Sequence, residues 1–474
     1  MFYFLTIFII AFTIIAWQNL PTAIAIIVAL LPTYLIRFYI IGLPTTLLEI
    51  MILIVLTVWF LQTGFKRVLK RLNYQIPAFA GMTKGKTGMT KEKTGMTMKY
   101  KKEIPYQPFP FQTQIILIMI FATISIFIAP NIWKALGLWR AYFLEPILFF
   151  LIFVQTIKTK KNLQKILYAL GISALAVSIF AIYQKITGNF IPVKMWQPEE
   201  TRRVTSFFTS PNAVGLFLAP IIMIYFGWLW ENKFKNFILA LFKILVLISS
   251  IIAVIFTVSK GTWAGLIIAF IFFLFSFAYL TIKRKTAETS ILRSMEVSAV
   301  FVLFIIIILL LFSVIYFQNQ SIKKYTEKIK IQTIINSPSA QNRLVLWQGS
   351  WKYLTQNPKN FIFGAGIFGF PKIQENFRDP LKMEPLIYPH NIFLNFWMDI
   401  GLLGMLCFAW LIISFFIKIK KCFYARNGIF FIGIASAMVT IIIHGLVDVP
   451  YFKNDLSLLF WIILGILIAA DNKK

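Results

Sequence analysis

The sequence predicts an all-α integral membrane protein with about 12 transmembrane helices, or 13 if every apolar run crosses. Three observations predict this class. The 474 residues are 59% hydrophobic and 14% charged, whereas soluble domains carry about 25% charged residues. Apolar runs of about 20 residues, the length that a helix needs to cross a bilayer, recur along the chain. Backbone groups inside a bilayer must be hydrogen-bonded within their own segment, which favours helices.

The first three apolar runs allow two arrangements. Three crossings put the N-terminus outside, whereas two crossings and one interfacial piece put it inside. Arg37 fits the three-crossing arrangement poorly. The N-terminal sequence has no positive n-region and no small-residue cleavage site, so it is interpreted as a membrane segment rather than a removable signal. The runs lie at residues 2–17, 20–35, 45–62, 113–133, 138–157, 163–185, 206–229, 237–258, 261–282, 296–317, 391–416, 427–446 and 452–470.

Basic clusters between the runs predict the orientation of the chain. A net charge of +30 can indicate nucleic-acid binding, but here the basic residues sit in short clusters between apolar runs, as in cytoplasmic loops. We therefore expect the bilayer as a partner and no nucleic acid. Placing the clusters in the cytoplasm puts the C-terminus there as well and leaves outside the connections 131–137, 186–205, 258–261, 318–390 and 447–451. The clusters are Lys66–Arg71, Lys158–Lys165, Lys233–Lys235, Lys283–Arg293 and Lys418–Arg426.

Two long loops divide the chain. A basic cytoplasmic loop contains Gly-Met-Thr at residues 81, 88 and 95. Its low complexity and lack of apolar residues predict disorder. The predicted parts are N-terminal membrane helices at 1–62, the cytoplasmic loop at 63–112, membrane helices at 113–317, a large external loop at 318–390 and C-terminal membrane helices at 391–474.

The external loop at 318–390 is predicted to be ordered. It contains an amphipathic helix that ends at Asn357–Pro358, followed by the turn-rich FGAGIFGF. An ordered loop of this length is more often functional than a spacer. The apolar face of the helix is predicted to carry Leu344, Trp347, Trp351 and Leu354.

The sequence predicts no metal site and no cofactor. Its 17 acidic residues and two histidines contain no HExxH motif and no ligand set. Cys407 and Cys422 fall in an apolar run and a basic loop, which is not a metal-binding pattern. Nucleotide-driven chemistry is not expected either, because P-loop and Rossmann fingerprints are absent from the sequence.

Cations near the predicted outer surface suit a phosphate ligand. Arg202 and Arg203 precede a span, Lys260 lies at an outer turn and Arg343 is at the start of the external helix. Arginine offers a planar fork to phosphate oxygens, and lysine offers a point charge. The alternative for each residue is a long side chain that places its charge at the membrane interface.

The two histidines are candidates for proton transfer. His390 closes the external loop, and because imidazole titrates near neutral pH, it can accept a proton from a hydroxyl. The alternative is a helix cap or an interfacial histidine. His444 lies near the outer end of another span, with Asp448 four residues later. That spacing allows a pair on one helix, and a structural role is favoured there over a catalytic one.

Five motifs follow one another in order: RVTSFFTSPNAVGLFL, SKGTWAGL, NRLVLWQGSWKYLTQNPKNFIFGAGIFGF, YPHNIFLNFWMDIGLLGML and HGLVDVPYF. Together, over residues 200–470, they resemble the O-antigen ligase and polymerase superfamily of bacterial membrane proteins. The resemblance implies a GT-C-like fold in the bacterial inner membrane, with a large periplasmic loop and the active site on the outer face. It also implies metal-independent, inverting transfer of a glycan from undecaprenyl pyrophosphate.

The resemblance also implies roles for individual residues. His390 matches the proposed base, and Arg203 and Arg343 match arginines that contact the pyrophosphate. Lys260 stands where the family's S-R-G turn carries arginine, which keeps the charge but loses the bidentate fork. The supporting candidates are Arg202, Asn212, Asn391, His444 and Asp448.

The motifs leave the acceptor open. A ligase transfers a finished glycan to a lipid or a protein, whereas a polymerase extends a glycan that stays on its lipid carrier. A flippase or transporter of lipid-linked sugars is the alternative from a different class. Such proteins often carry mid-span charges and inverted repeats, and no clear inverted repeat is found in the sequence.

Overall fold

The computed structural model describes residues 2–40, 42–80, 109–231, 237–283, 338–380, 383–424 and 428–471. The predicted span at 296–317, the Gly-Met-Thr repeats and the first part of the external loop, 318–337, lie outside these residues. The helices are α1 (Phe2–Gln18), α2 (Leu20–Ala29), α3 (Leu47–Ala80), α4 (Gln112–Ile128), α5 (Ile132–Trp139), α6 (Glu145–Thr156), α7 (Lys160–Thr187), α8 (Pro211–Glu231), α9 (Phe237–Thr257), α10 (Lys260–Lys283), α11 (Pro338–Thr355), α12 (Pro358–Phe363), α13 (Phe370–Ile373), α14 (Ile392–Cys422), α15 (Gly428–Gly445) and α16 (Asn454–Asp471).

Eight helices in the described ranges are long and apolar enough to cross a membrane. One of them combines α5 and α6, which are joined by a π-helical turn at Arg140–Leu144. α1, α2, α4 and the first part of α3 are shorter apolar helices. Every predicted apolar run within the described residues overlaps one of these helices. The chain is therefore a multi-pass membrane protein.

A small β-hairpin between α2 and α3 was not predicted, so the all-α class needs this correction. Strand β1 (Arg37–Ile40) pairs antiparallel with β2 (Leu43–Thr46), with Arg37 opposite Thr46. The aromatic and β-branched residues on either side of Gly42 favour a hairpin, but they lie between two apolar runs that dominated the sequence pattern. Arg37 is exposed in this hairpin. It therefore lies outside the helices of the three-crossing arrangement.

Loops from separate parts of the chain meet at one end of the helix bundle, the loop-rich end. Val204 N–H donates to Phe256 O over 3.2 Å, which joins the segment before α8 to the end of α9. Arg343 Nε donates to Val447 O over 2.7 Å, which joins the external helix α11 to the turn before α16. The opposite end is marked by an ion pair of 2.9 Å between Lys418 Nζ and Asp471 Oδ2.

Contacts at the opposite end fix the direction of the first three helices. Gln62 Nε2 donates to Trp17 O over 2.7 Å, and Lys165 Nζ, near the start of α7, donates to Thr22 Oγ1 over 3.1 Å. The end of α1, the start of α2 and the middle of α3 therefore meet at that end. Phe2 therefore lies towards the loop-rich end.

Small residues allow α8 and α15 to cross closely. A Cβ on Gly433 would lie 2.8 Å from the Cα of Gly227, so neither position accepts a side chain without moving a helix. Close approach through glycine is a common device in membrane bundles, where packing rather than water exclusion holds helices together. The crossing brings the start of α8 and the end of α15 to the loop-rich end.

The turn-rich segment after α12 anchors the external loop to the bundle. Ala365 N–H donates to Met398 O over 2.7 Å, and Ile367 N–H donates to Ser125 Oγ over 3.0 Å. α14 is kinked at Gly401, where φ is +79°. A Cβ there would clash with Ile362 O. Glycine is therefore needed at this position both for the backbone angle and for the close approach.

The external helix is present as predicted, but only Leu354 and Trp347 of its predicted apolar face pack into the loop. Leu346, Ser350 and Leu354 are buried at helical spacing. Leu344 and Trp351, which were predicted to share the apolar face, are 38% and 55% exposed. The small Ser350 lies inside because α11 packs closely on the rest of the loop, and a sequence pattern that places the largest residues inside cannot anticipate this. A separate apolar cluster holds the helix and comprises Leu346, Leu354, Ala365, Phe370, Ile373, Met383, Trp397 and Met398.

Candidate active site

A histidine–aspartate pair lies at the loop-rich end. His390 Nδ1 is 3.2 Å from Asp448 Oδ1. The side chain of His390 is 24% exposed, whereas that of Asp448 is 7% exposed. Asn212 Nδ2 donates to Asp448 Oδ2 over 3.0 Å, and Val449 N–H donates to Oδ1 over 2.9 Å. The carboxylate is thus fixed by three donors, while the imidazole reaches the surface.

Burial alone would raise the pKa of the Asp448 carboxyl, but the charge and hydrogen bond of His390 favour its ionised form. The net result is a pKa below the usual range of a carboxyl. A carboxylate can only accept hydrogen bonds, so Nδ1 of His390 must carry a proton. In the neutral imidazole this leaves Nε2 as the acceptor. A general base that is oriented by a carboxylate has this arrangement.

His390 and Asn391 join the external loop to α14. His390 has a φ of +53°, a left-handed conformation that is uncommon for residues other than glycine. Asn391 Oδ1 accepts from Leu394 N–H over 3.0 Å and caps α14, while its Nδ2 donates to Leu446 O over 3.1 Å. Asn391 therefore fixes the segment that leads to Asp448 relative to the start of α14.

The predicted helical pair of His444 and Asp448 does not form. α15 ends at Gly445, so the two residues do not lie one turn apart on a helix, and Asp448 pairs with His390 instead. Nδ1 of His444 is buried without a hydrogen-bond partner among the described residues. Its ring packs against Gly261, where a Cβ would lie 2.8 Å from Cδ2 of His444. His444 therefore links the Lys260 turn to the end of α15 by packing.

Arg203 and Lys260 lie at neighbouring positions of the loop-rich end. Arg203 Nε donates to Thr257 O over 2.9 Å, and its guanidinium lies over the ring of Trp196 at 5.8 Å. Burial lowers the pKa of Arg203, so this guanidinium is partly desolvated. Lys260 is exposed at the first residue of α10. Both cations therefore flank the turn between α9 and α10.

The remaining arginines differ in how their donors are used. Arg343 bonds Val447 O through Nε and Ser339 through Nη1. Arg202 donates to Gln197 O over 2.9 Å and to Lys185 O over 2.8 Å. Arg202 therefore holds the 186–205 loop together, whereas Arg343 contacts the residue that precedes Asp448.

Several contacts at this end were not predicted from the sequence. Trp347 Nε1 donates to Pro389 O over 2.9 Å. Tyr388 OH donates to Phe452 O over 2.9 Å and lies 3.0 Å from Tyr142 OH. The YPHN motif contains Tyr388, but its partners come from other segments of the chain, which spacing alone does not reveal.

An ion-pair cluster near the β-hairpin was also missed. Arg140 Nη2 lies 3.0 Å from Glu49 Oε2, and Arg140 Nε lies 3.2 Å from Glu145 Oε1. Asn454 Nδ2 donates to Glu49 Oε1 over 3.0 Å. The cluster ties α3, the π-helical turn and α16 together at the loop-rich end.

No three His, Cys, Asp or Glu side chains lie close enough to hold a metal ion within the ranges that the structure describes. Cys407 and Cys422 do not form a disulfide, and both are buried.

The bundle and its loop-rich end, with a histidine–aspartate pair among arginines and a lysine, define a polytopic membrane protein with a candidate active site. Residues 245–409 match the family model described as O-Antigen ligase. This match covers about a third of the chain and supports a membrane protein of the O-antigen ligase and polymerase type, with a role in polysaccharide biosynthesis. No curated protein matches the chain. The matched range contains Lys260, Arg343 and His390, while Asp448 lies beyond it.

Proposed function

We propose that this protein transfers a glycan from undecaprenyl pyrophosphate to an acceptor hydroxyl, without a metal ion and with inversion at the anomeric carbon. The observation that carries the proposal is the contact of 3.2 Å between His390 Nδ1 and Asp448 Oδ1. It lies at the bundle end where Arg203, Lys260 and Arg343 also lie. The donor and the metal independence come from the family resemblance.

In this proposal His390 is the general base. Its Nε2 accepts the proton of the acceptor hydroxyl as the hydroxyl oxygen attacks the anomeric carbon. The bond between that carbon and the phosphate oxygen breaks on the opposite face, and undecaprenyl pyrophosphate leaves with the bonding electrons. Asp448 holds the imidazole and stabilises the imidazolium that forms.

The cations act on the leaving group. A pyrophosphate carries charge on both phosphates, and fixed cations that face this charge stabilise the transition state. Arg203 is partly desolvated, which strengthens its attraction for phosphate oxygens. Lys260 is exposed and contributes a point charge without a fork. Arg343 contributes through Nη2, because Nε and Nη1 are bonded to Val447 and Ser339.

The positive-inside rule supports an outer location for this site. With the basic clusters in the cytoplasm, the loop-rich end faces outward and the C-terminus faces inward. The bacterial inner membrane is the location that the family resemblance implies, and the donor would enter the site from the bilayer. This orientation also separates the site from cytoplasmic nucleotides.

Purified protein in proteoliposomes with an undecaprenyl-pyrophosphate glycan and a separate acceptor tests the proposal. We expect product without nucleotide and in the presence of EDTA, with the opposite anomeric configuration by NMR. Product on the separate acceptor indicates a ligase, and longer chains on the lipid carrier indicate a polymerase. Movement of the donor across the bilayer without any new glycosidic bond would instead establish the flippase alternative.

A further inference from the structure

Two side chains of α11 bond the residues that precede the histidine and the aspartate. Arg343 Nε donates to the carbonyl of Val447, immediately before Asp448, over 2.7 Å. Trp347 Nε1 donates to the carbonyl of Pro389, immediately before His390, over 2.9 Å. Residues four apart lie on the same face of a helix. One face of α11 thus contacts both segments of the pair.

The two segments come from distant parts of the chain. His390 closes the external loop, and Asp448 follows α15 58 residues later. Neither is part of a helix, because α14 starts at Ile392 and α15 ends at Gly445. Their separation is therefore not fixed by one secondary-structure element.

α11 is itself held firmly. Leu346 and Leu354 are fully buried in the separate apolar cluster. A Cβ on Gly349 would lie 2.5 Å from the ring of Phe377, so the helix packs closely on the following segment. A rigid helix that donates one hydrogen bond to each of two segments can fix the distance between those segments. Supporting residues hold catalytic groups in place around active sites in this way.

His390 needs such support. Its φ of +53° is a left-handed conformation, and strained residues of this kind persist only where their surroundings hold them. The bond from Trp347 reaches the peptide group that leads into this residue. It therefore restrains the direction in which the imidazole leaves the backbone.

We infer that α11 is a positioning element, in which Trp347 and Arg343 together set the distance between His390 and Asp448. The inference rests on the proposed function, since it makes Trp347 a positioning residue for the base. Trp347 is uncharged and cannot hold a pyrophosphate by charge. A substitution of Trp347 therefore tests positioning without changing the charge available to the donor. Arg343 cannot separate the two, because it is also proposed to contact the donor.

Trp347→Phe tests the inference, with Trp351→Phe as the matched control. Both changes remove an indole N–H from α11, but Trp351 is 55% exposed and contacts the ring of Trp397 at 5.8 Å. We expect Trp347→Phe to lower kcat by about 10- to 100-fold, since small displacements of catalytic groups have such effects. The KM for the donor should stay unchanged, and Trp351→Phe should behave as wild type.

Hydrogen exchange gives a second readout that does not need activity. Trp347→Phe should speed exchange of amides in residues 386–391 and leave α15 and α16 protected. Trp347→Phe should also lower kcat by a smaller factor in an Asp448→Asn background than in the wild type. The effects of two substitutions that disturb the same contact are not additive.

Equal kcat and equal exchange in Trp347→Phe and Trp351→Phe would overturn the inference. So would faster exchange throughout the bundle, because the loss would then be one of global stability. If wild-type protein makes no product, the proposed function fails. The exchange of residues 386–391 would still decide whether Trp347 holds the segment.

Discussion

Replacing Asp448 with asparagine removes the charge that faces the base and keeps the size of the side chain. The carboxylate accepts from His390, Asn212 and Val449. An asparagine whose oxygen faces His390 retains that contact, but its amide then faces the Nδ2 of Asn212. With the amide reversed, Nδ1 of His390 must accept a hydrogen bond from the amide NH2. The proton of the neutral imidazole is then on Nε2, which can no longer act as the base.

The size of the effect follows from the contact that is weakened. A hydrogen bond to a charged group contributes about 1.5–3 kcal/mol. A loss of about 2–3 kcal/mol in the transition state corresponds to a decrease of roughly 30- to 160-fold in kcat. Loss of the correct tautomer adds to this, and the same change in a Ser-His-Asp triad lowers kcat by about 10⁴-fold.

The assay is the initial rate of glycan transfer in proteoliposomes at saturating donor, for wild type, Asp448→Asn and Asn212→Ala. Asn212→Ala removes one donor from the other carboxylate oxygen, so we expect a smaller decrease than for Asp448→Asn. Wild-type kcat in Asp448→Asn, with the protein folded, would refute the role of the carboxylate.

Three further outcomes are expected. Lys260→Ala should raise the KM for the donor about two- to fivefold in steady-state kinetics, because an exposed ionic contact is weak; an unchanged KM would remove Lys260 from the donor site. Gly261→Ala should destabilise the protein by about 1–3 kcal/mol in thermal unfolding, because the added methyl group overpacks the ring of His444; a His444→Ala background should reduce this cost. The lowered pKa of Asp448 should stabilise the wild type over Asp448→Asn above about pH 4, the unfolded value. This advantage should shrink as pH falls through the folded pKa, and a pH-independent difference in melting temperature would contradict it.

The sequence predicted the helices well, because the length and composition of an apolar run suffice to identify a span. It also placed His390, Arg203 and Lys260 in loops between spans, and these loops lie together in the structure. It could not predict which groups pair. Spacing suggested His444 for Asp448, but the helix ends at Gly445 and tertiary packing brings His390 to the carboxylate.

The sequence also could not predict the different partners of neighbouring residues with the same chemistry. Arg202 and Arg203 are adjacent, yet Arg202 bonds loop carbonyls while Arg203 reaches the end of α9. The buried face of α11 depends on what packs against it, so Ser350 is buried and Trp351 is exposed. These hydrogen-bond partners and this pattern of burial depend on contacts between segments that are far apart in the chain.

His390 is proposed to be the base for glycan transfer. The most direct test is the single-turnover rate with pre-bound donor and saturating acceptor, for wild type and His390→Ala at equal protein levels. A general base contributes about 10²- to 10⁴-fold, so we predict a loss of that size with unchanged donor binding. A His390→Ala protein that transfers the glycan at the wild-type rate would show that His390 is not the base.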